Sequence, residues 1–243
     1  MALIPASAGR AGVMAILPAR MESTRLPGKP LLAIAGRPLI LHVAAACRSA
    51  GLERVFVATD SSEIARVVEA GGFSAVLTGP ASSGTERVHL AWELLGSPRV
   101  LVLNVQGDEP MVSATWVDAV LSRPPSEASV TTLARRIGRD EALDPNRVKV
   151  VLDAAGRALY FSRCPIPHGG DFHWEHVGLY CFSPESLRRA SSLSPGVLSR
   201  SERLEQLGWM EDGMSIEVVT GSFEGTGVDT PGDLEAMRKL LER

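Results

Sequence analysis

Short apolar runs alternate with amphipathic segments through the first half of the chain. The runs cover 13–17, 54–60, 73–78 and 100–105, and the segments with helical periodicity cover 38–46, 61–69 and 88–95. Apolar runs are typical of strands buried on both faces, and the periodic segments are typical of helices that cover a sheet. This order predicts an α/β fold with a mostly parallel central sheet, right-handed crossovers and helices on both faces.

The pattern changes at about residue 128. Short alternating segments at 129–135, 147–152, 158–162 and 176–182 predict strands that are separated by turns, and they indicate a smaller mixed β lobe at about 128–182. A helix at 201–209, a strand at 216–219 and a helix at 232–241 complete the prediction. We expect residues 1–12 to form a disordered extension and residues 13–243 to form a single domain with this lobe.

Composition excludes several classes of protein. The chain has 243 residues, 45% apolar content and a formal net charge of −3, which lacks the basic footprint of a general nucleic-acid binder. The longest apolar stretches fall short of a membrane span, so no membrane insertion is expected. The cysteines Cys47, Cys164 and Cys181 are single and scattered, which implies neither a zinc site nor a disulfide framework. A reducing cytoplasm is the expected compartment.

A cationic loop follows the first predicted strand. The strand breaks at Pro18, and the loop carries Arg20, Arg25 and Lys29, opposed only by Glu22. Loops at the carboxyl ends of strands are the ligand sites of open α/β sheets, and clustered cations with free backbone N–H groups suit a triphosphate. The glycine spacing of a Walker A loop is missing, and so is the dinucleotide fingerprint that an NAD-linked dehydrogenase needs.

A second loop with candidate chemistry follows the strand at 100–105. Gly107 permits a close approach of backbone to ligand, and Asp108 supplies a hard oxygen ligand that suits Mg²⁺. An aspartate after a strand is also often a helix cap, and Asp60 and Asp229 admit that interpretation as well. Asp60 could instead hydrogen-bond a ribose, as acids after the second strand do in dinucleotide folds, but the first loop lacks the dinucleotide glycine pattern, so for Asp60 we expect the capping role.

The run Ser82 to Arg87 admits two interpretations at once. Ser83 with Glu86 three residues later predicts a capping box at a helix start. The same turn offers N–H donors to an anion, which Arg87 could also reach.

Several of these motifs, in order, resemble the 3-deoxy-manno-octulosonate cytidylyltransferase (CMP-Kdo synthetase) family. The resemblance extends from about Met14 to Met237. It rests on Pro18-Ala19-Arg20, on Ser23 to Leu31, on Ser83 to Arg87, on Val105 to Pro110, on Val148 to Arg163, on His176 to Tyr180 and on Leu204 to Leu207.

The resemblance implies a Rossmann-like nucleotidyltransferase fold whose β lobe serves sugar-acid binding and dimerisation. The implied reaction is cytidylyl transfer from CTP to 3-deoxy-D-manno-octulosonate (Kdo), which gives CMP-Kdo and pyrophosphate for lipopolysaccharide biosynthesis. The implied catalytic residues are Arg20, Lys29, Asp108 and Asp229, of which Asp108 and Asp229 hold Mg²⁺. The implied nucleotide-binding residues are Pro18, Ala19, Arg20, Ser23, Arg25, Lys29, Ser83, Thr85 and Gln106. The implied substrate-binding residues are Arg87, Gln106, Arg163, His176, Glu205 and Gln206.

Four departures from the family pattern concern the acceptor half. The stretch between Pro167 and His176 is short, Glu175 stands where a basic residue is usual, Ser199 replaces an acid, and Gly208 stands where an arginine is common. They leave 8-amino-Kdo or a nonulosonic (sialic) acid as alternative acceptors. A non-catalytic nucleotide-sugar sensor is a further alternative, but binding alone does not need both Asp108 and Asp229.

Overall fold

The structure, a computed structural model, describes residues 10–22, 26–225 and 227–241. The chain divides into two compact units: the first comprises Met1–Val117 and Glu224–Arg243, and the second comprises Asp118–Phe223. The β lobe predicted at about 128–182 falls within the second unit. Of the predicted N-terminal extension, Arg10–Gly12 form a short 3₁₀ turn, and residues 1–9 lie outside the described residues.

The first unit contains a parallel sheet. Its strands are β1 (Val13–Ala19), β4 (Val55–Thr59), β5 (Ser74–Leu77) and β6 (Leu101–Val105). Their spatial order is β6-β1-β4-β5, and every neighbouring pair is parallel. Met14, Ile16 and Leu17 of β1 have no exposed surface, as expected of a central parallel strand that is covered on both faces.

Helices connect these strands. They are α1 (Leu39–Ser49), α2 (Ser62–Ala70) and α3 (Gly84–Leu94), while β2 (Ala33–Ile34) and β3 (Arg37–Pro38) form a short antiparallel pair before α1. The C-terminal helix α9 (Pro231–Leu241) also belongs to this unit. The hydroxyls of Ser61 and Ser83 cap α2 and α3 by accepting from backbone N–H groups in the first turn. The helix α4 (Ala114–Leu121) lies where the chain leaves this unit.

The second unit is a mixed β structure with short helices. Its strands are β7 (Ser129–Ile137), β8 (Lys149–Leu152), β9 (Ala158–Ser162), β10 (His173–Phe182) and β11 (Ser215–Thr220). Strand β11 is parallel to β7, whereas the pairs β7–β10, β10–β8 and β8–β9 are antiparallel. The helices are α5 (Arg139–Ala142), α6 (Pro184–Ser192), α7 (Val197–Glu202) and α8 (Glu205–Glu211). Buried Trp209 packs edge-to-face against Tyr180 and Phe182 in its core.

Several predicted elements differ from the structure in their bounds, and the helix expected at 88–95 begins earlier, at Gly84. The helix expected at 201–209 is two helices, because Arg203 adopts a left-handed conformation with φ 55° between α7 and α8. The strand expected at 176–182 begins earlier, at His173, and its first residues alternate between buried and half-buried positions. The mainly parallel α/β architecture is confirmed.

No helix among residues 10–22, 26–225 and 227–241 is both long enough and apolar enough to span a bilayer.

Candidate active site

Lys29 lies between two carboxylates that are distant in sequence. Its Nζ is 2.6 Å from Oδ2 of Asp108 and 3.0 Å from Oδ1 of Asp229. These partners lie 79 and 200 residues further along the chain. The fold therefore brings three of the four predicted catalytic residues into one cluster within the first unit.

Local backbone geometry places each member of this cluster. Gly28 adopts φ 67° and donates its N–H to the carbonyl of Met21, which closes the loop just before Lys29. Asp108 follows β6 across Gly107, where a Cβ would lie 2.8 Å from the carbonyl oxygen of Pro18. Only glycine tolerates so close an approach, so Gly107 sets the separation between the two loops.

Asp229 is not the cap of the helix that follows it. The hydroxyl of Thr230 accepts from the N–H of Asp233, and the Asp233 carboxylate accepts from the N–H of Thr230, so these two residues cap α9. The Asp229 carboxylate instead accepts from Lys29, and the N–H of Val228 donates to the carbonyl of Asp108 at 2.9 Å. The two carboxylates are thereby tied together through the backbone.

The cluster is partly shielded from water. The side chains of Lys29, Asp108 and Asp229 are 16%, 24% and 32% exposed. Burial alone would lower the pKa of Lys29, but the charges and hydrogen bonds of the two carboxylates outweigh it and raise that pKa above its ordinary value. Lys29 therefore stays protonated and supplies the positive charge that two neighbouring carboxylates need.

A cleft of about 330 Å³ opens beside the cluster. The predicted residues that line it are Pro18, Ala19, Arg20, Lys29, Ser83, Arg87, Gln106, Asp108 and Asp229. Ser23 and Arg25, also predicted to bind the nucleotide, lie outside the described residues. The cleft thus joins the end of β1, the start of α3 and the end of β6, which is the ligand position of open α/β sheets.

The start of α3 lines the cleft with Ser83 and Gly84. The hydroxyl of Ser83 accepts from the N–H of Glu86, as the sequence predicts. The Glu86 carboxylate accepts from both the N–H and the hydroxyl of Ser82, and these hydrogen bonds lower its pKa. The N-terminal end of a helix of this length favours anionic groups.

Arg87 is buried in the wall of the cleft. Its Nη2 is 2.7 Å from Oδ2 of Asp60, and its Nη1 donates to the hydroxyl of Thr78 at 2.8 Å. The capping role expected for Asp60 is wrong, because Ser61 caps α2 and Asp60 neutralises Arg87 instead. This ion pair fixes the guanidinium at the cleft wall.

Gln106 lines the cleft at the end of β6 and contacts a buried amide. Its Nε2 donates to Oδ1 of Asn104 at 3.2 Å, and Nδ2 of Asn104 donates to the hydroxyl of Thr85 at 3.2 Å. Asn104 and Thr85 have no exposed surface. The hydroxyl of Thr85, a residue predicted to bind the nucleotide, therefore lies beneath the cleft surface in contact with Asn104.

The other predicted acceptor-binding residues belong to the second unit. The guanidinium of Arg163 donates to the backbone carbonyls of Glu202 and Pro145, and its N–H donates to the Glu202 carboxylate. Because these contacts tie the end of β9 to the turn between α7 and α8, Arg163 has a fixed orientation. Its role in acceptor binding stays a prediction.

His176 and Glu205 both lie near Tyr180 in that unit. The ring of His176 packs 5.1 Å from that of Tyr180, and its Nε2 lies 3.0 Å from the Thr132 hydroxyl. Burial lowers the pKa of His176 to about 4, so its ring is neutral at pH 7. Burial, followed by the charge of Glu205, raises the pKa of Tyr180. Gln206 is 4% exposed.

Glu175 and Lys149 are buried charges that the sequence analysis did not explain. Glu175 is 8% exposed and accepts from Arg135 at 2.7 Å and Arg147 at 3.0 Å. The ammonium of Lys149 has no exposed surface and donates to three backbone carbonyls, those of Asp144, Arg147 and Arg163. Together they hold the 144–147 turn against the end of β9.

The sequence did not identify three residues that contact the predicted site residues. They are Asp60, which pairs with Arg87, Asn104, which contacts Gln106, and Tyr180, which contacts His176. The signal for Asn104 was present, because a single amide inside the apolar run at 100–105 needs a buried partner. No local signal identifies the partner of Asp60, since Arg87 lies 27 residues away.

The donor set fits a divalent cation that is bound jointly with phosphates. Asp108 and Asp229 offer hard oxygens around a position that the Lys29 ammonium already occupies. Among the described residues, no group of three or more Asp, Glu, His or Cys side chains could hold a metal. Mg²⁺ commonly binds through one or two carboxylates and completes its shell with substrate phosphates and water.

Comparisons with known proteins agree with this geometry. Residues 14–216 match the family model of cytidylyltransferases. The 3-deoxy-manno-octulosonate cytidylyltransferase of Anaeromyxobacter dehalogenans (strain 2CP-C) is 46% identical over 94% of this chain and 97% of its own. The protein of that name from Acidovorax sp. (strain JS42) is 42% identical over 93% and 96%.

A solved structure is also similar. The structure of CMP:2-keto-3-deoxy-manno-octonic acid synthetase complexed with CTP superimposes with a TM-score of 0.83 and 37% identity, covering 95% of this chain and 98% of that one. Identity at this level over nearly full length, together with the family model, is sufficient to assign the chain. It belongs to the cytidylyltransferase family, as one of the 3-deoxy-manno-octulosonate cytidylyltransferases.

Proposed function

We propose that this cytidylyltransferase transfers the CMP group of CTP to Kdo with the help of Mg²⁺, and releases pyrophosphate. The observation that carries the proposal is the convergence of Lys29, Asp108 and Asp229 at a cleft that Arg20 and the start of α3 also line. Cations and N–H donors bind the triphosphate there, and the carboxylates hold the metal. The family membership supplies the nucleotide and the acceptor.

The chain's own residues supply positioning and charge. In-line attack of the acceptor hydroxyl on the α-phosphate forms the new P–O bond as the bond to pyrophosphate breaks. The hydroxyl loses its proton to solvent, and negative charge develops on the leaving group. Arg20 and Lys29 offset that charge, while Arg87 and Gln106 orient substrate groups at the cleft wall. Bound Mg²⁺ neutralises phosphate charge and lowers the pKa of a coordinated hydroxyl.

We also propose a cytoplasmic homodimer that supplies CMP-Kdo for lipopolysaccharide biosynthesis. Support for dimerisation comes from large apolar side chains that the second unit exposes, among them Leu159 at 59% and Val197 at 65%. Sedimentation velocity over a range of protein concentrations tests it. A single monomeric species throughout would contradict dimerisation.

The first test is pyrophosphate release from CTP with Kdo, 8-amino-Kdo or N-acetylneuraminate, each with Mg²⁺ and with EDTA. We expect release with Kdo and Mg²⁺ and none with EDTA. Release with another acid would keep the reaction and change the acceptor. Tight CTP binding without release from any acid would favour the nucleotide-sugar sensor.

The second test addresses the metal ligands. We expect Asp108→Ala to abolish release while the protein stays folded, because one of the two carboxylates is lost. Asp171→Ala is the matched control, since its side chain is 98% exposed. Near-normal release by Asp108→Ala would contradict the metal assignment.

A further inference from the structure

Asn104 is the one polar residue of the buried apolar strand β6. It lies in β6, where every residue is buried, and it has no exposed surface. A buried amide is costly unless its donor and its acceptor are both satisfied, and an apolar residue would fill the position without that requirement. The hydrogen bonds of Asn104 therefore need an explanation beyond packing.

Those hydrogen bonds form a directional hydrogen-bond chain that runs from Gln106 through Asn104 to Thr85. Nδ2 of Asn104 donates to the hydroxyl of Thr85, and Oδ1 accepts from Nε2 of Gln106. A primary amide has one donating end and one accepting end. Because Gln106 uses Nε2 for the contact with Asn104, the other end of its amide is the acceptor Oε1, and Gln106 is the member of the chain that lines the cleft.

We propose that Thr85 and Asn104 are positioning residues that fix the Gln106 amide so that Oε1 accepts a hydrogen bond from a substrate hydroxyl. The inference rests on the proposed function, in which both CTP and the sugar acid carry hydroxyls. An acceptor at this point binds a hydroxyl and repels the oxygens of phosphate or carboxylate. It therefore complements the cationic side chains, which bind the anionic groups.

Burial couples the orientations of the two amides. With Thr85 and Asn104 both inaccessible to water, turning Gln106 alone would place two acceptors against each other. Reversal requires both amides to turn and the Thr85 hydroxyl to donate to Asn104. The orientation of the Gln106 amide therefore depends on all three residues of the hydrogen-bond chain and not on Gln106 alone.

The test removes the Thr85 hydroxyl, which lies beneath the cleft surface, and leaves the residues that line the cleft unchanged. Thr85→Val deletes the hydroxyl at nearly constant shape, and Thr85→Ser retains it. We expect Thr85→Val to raise the KM for one of the two substrates about 3- to 10-fold, the effect of one neutral hydrogen bond, with kcat within about twofold. Thr85→Ser restores the KM, and Thr115→Val, on the exposed face of α4, is the unchanged control. The substrate whose KM rises carries the hydroxyl.

Two results would overturn the proposal. In a Gln106→Ala background, Thr85→Val should add no further effect, so an undiminished effect there would mean that Thr85 acts elsewhere. Replacing the responsible hydroxyl by fluorine, which cannot donate, should weaken binding to the wild type but not to Thr85→Val. Equal use of the fluorinated and parent substrates by the wild type would mean that Gln106 offers Nε2.

The two proposals fail in different experiments. If the proposed function is wrong, the wild-type protein releases no pyrophosphate from CTP with Kdo. The hydrogen-bond chain is then tested by the dissociation constants of CTP and of Kdo, measured by calorimetry on the wild type and Thr85→Val. Unchanged constants for both ligands would refute the positioning role.

Discussion

Lys29 is expected to stabilise the metal-free protein. The substitution Lys29→Met retains the apolar stem of the side chain and removes the charge. The carboxylates of Asp108 and Asp229 then face each other without the ammonium that lies between them. The ion pairs measure 2.6 and 3.0 Å, and the three side chains are between 16% and 32% exposed. This exposure lies between that of surface pairs, worth about 0–1 kcal/mol, and that of buried pairs, whose disruption costs about 3–5 kcal/mol.

We therefore expect a loss of about 2 kcal/mol, which corresponds to a fall in Tm of about 4–8 °C for a chain of this size. The assay is thermal unfolding in EDTA. The chain offers a matched control in Lys239→Met, because Lys239 is exposed on the last helix. Lys29→Arg keeps the charge and should lose less stability than Lys29→Met.

Added Mg²⁺ provides the second half of this prediction. In the wild type the metal must displace an ammonium from between the carboxylates, whereas in Lys29→Met it meets no competitor. We expect Mg²⁺ to raise the Tm of Lys29→Met more than that of the wild type. Equal Tm values for Lys29→Met and Lys239→Met in EDTA would refute the reasoning, and so would an equal response to Mg²⁺.

Three further predictions concern other parts of the molecule. Gly107→Ala places a Cβ against the carbonyl of Pro18, so we expect kcat/KM to fall about 100-fold as the two loops separate, and wild-type kinetics would contradict the close approach. Glu175→Gln removes the negative charge between two arginines and should lower the free energy of unfolding, measured in urea, by about 3 kcal/mol. Glu185→Gln, at an exposed position, should leave it unchanged, and equal stability of the two variants would contradict the buried ion pairs. His176, whose pKa burial lowers to about 4 from 6.5, binds its proton more readily when unfolded, so the stability it contributes is present above pH 6.5 and is lost as the pH falls toward 4. The contribution of His176 to the free energy of unfolding is at most about 3 kcal/mol, and the partial exposure of its side chain reduces it. The free energy of unfolding of His176→Asn should therefore depend less on pH over this range than that of the wild type; an equal pH dependence of the two proteins would contradict the assignment.

The parallel strands of the first unit were predictable because a strand that is buried on both faces consists of consecutive apolar residues. β4 and β6 lie within one or two residues of their predicted bounds. The cap of α3 was equally local, since Ser83 and Glu86 are three residues apart. Such elements depend on neighbours in sequence, and the residues themselves determine them.

Features that depend on distant neighbours were not predictable in that way. A continuous helix pattern spans Arg203, and its left-handed conformation follows from packing rather than from any glycine. The partnership of Asp60 with Arg87 is likewise a tertiary contact. That Asp108 and Asp229 meet was expected only from the family resemblance, because nothing in the residues between them specifies the distance.

The complete burial of Lys149 has a practical consequence for chemical labelling. The chain contains three lysines, Lys29, Lys149 and Lys239. An amine-reactive reagent cannot reach Lys149 in the folded protein, because its ammonium is enclosed by three carbonyl oxygens, while Lys239 is freely accessible. Lys239 therefore acts as an internal standard, and the extent of labelling at Lys29 reports how tightly the cleft holds its amine. Labelling of Lys149 marks only molecules that have unfolded.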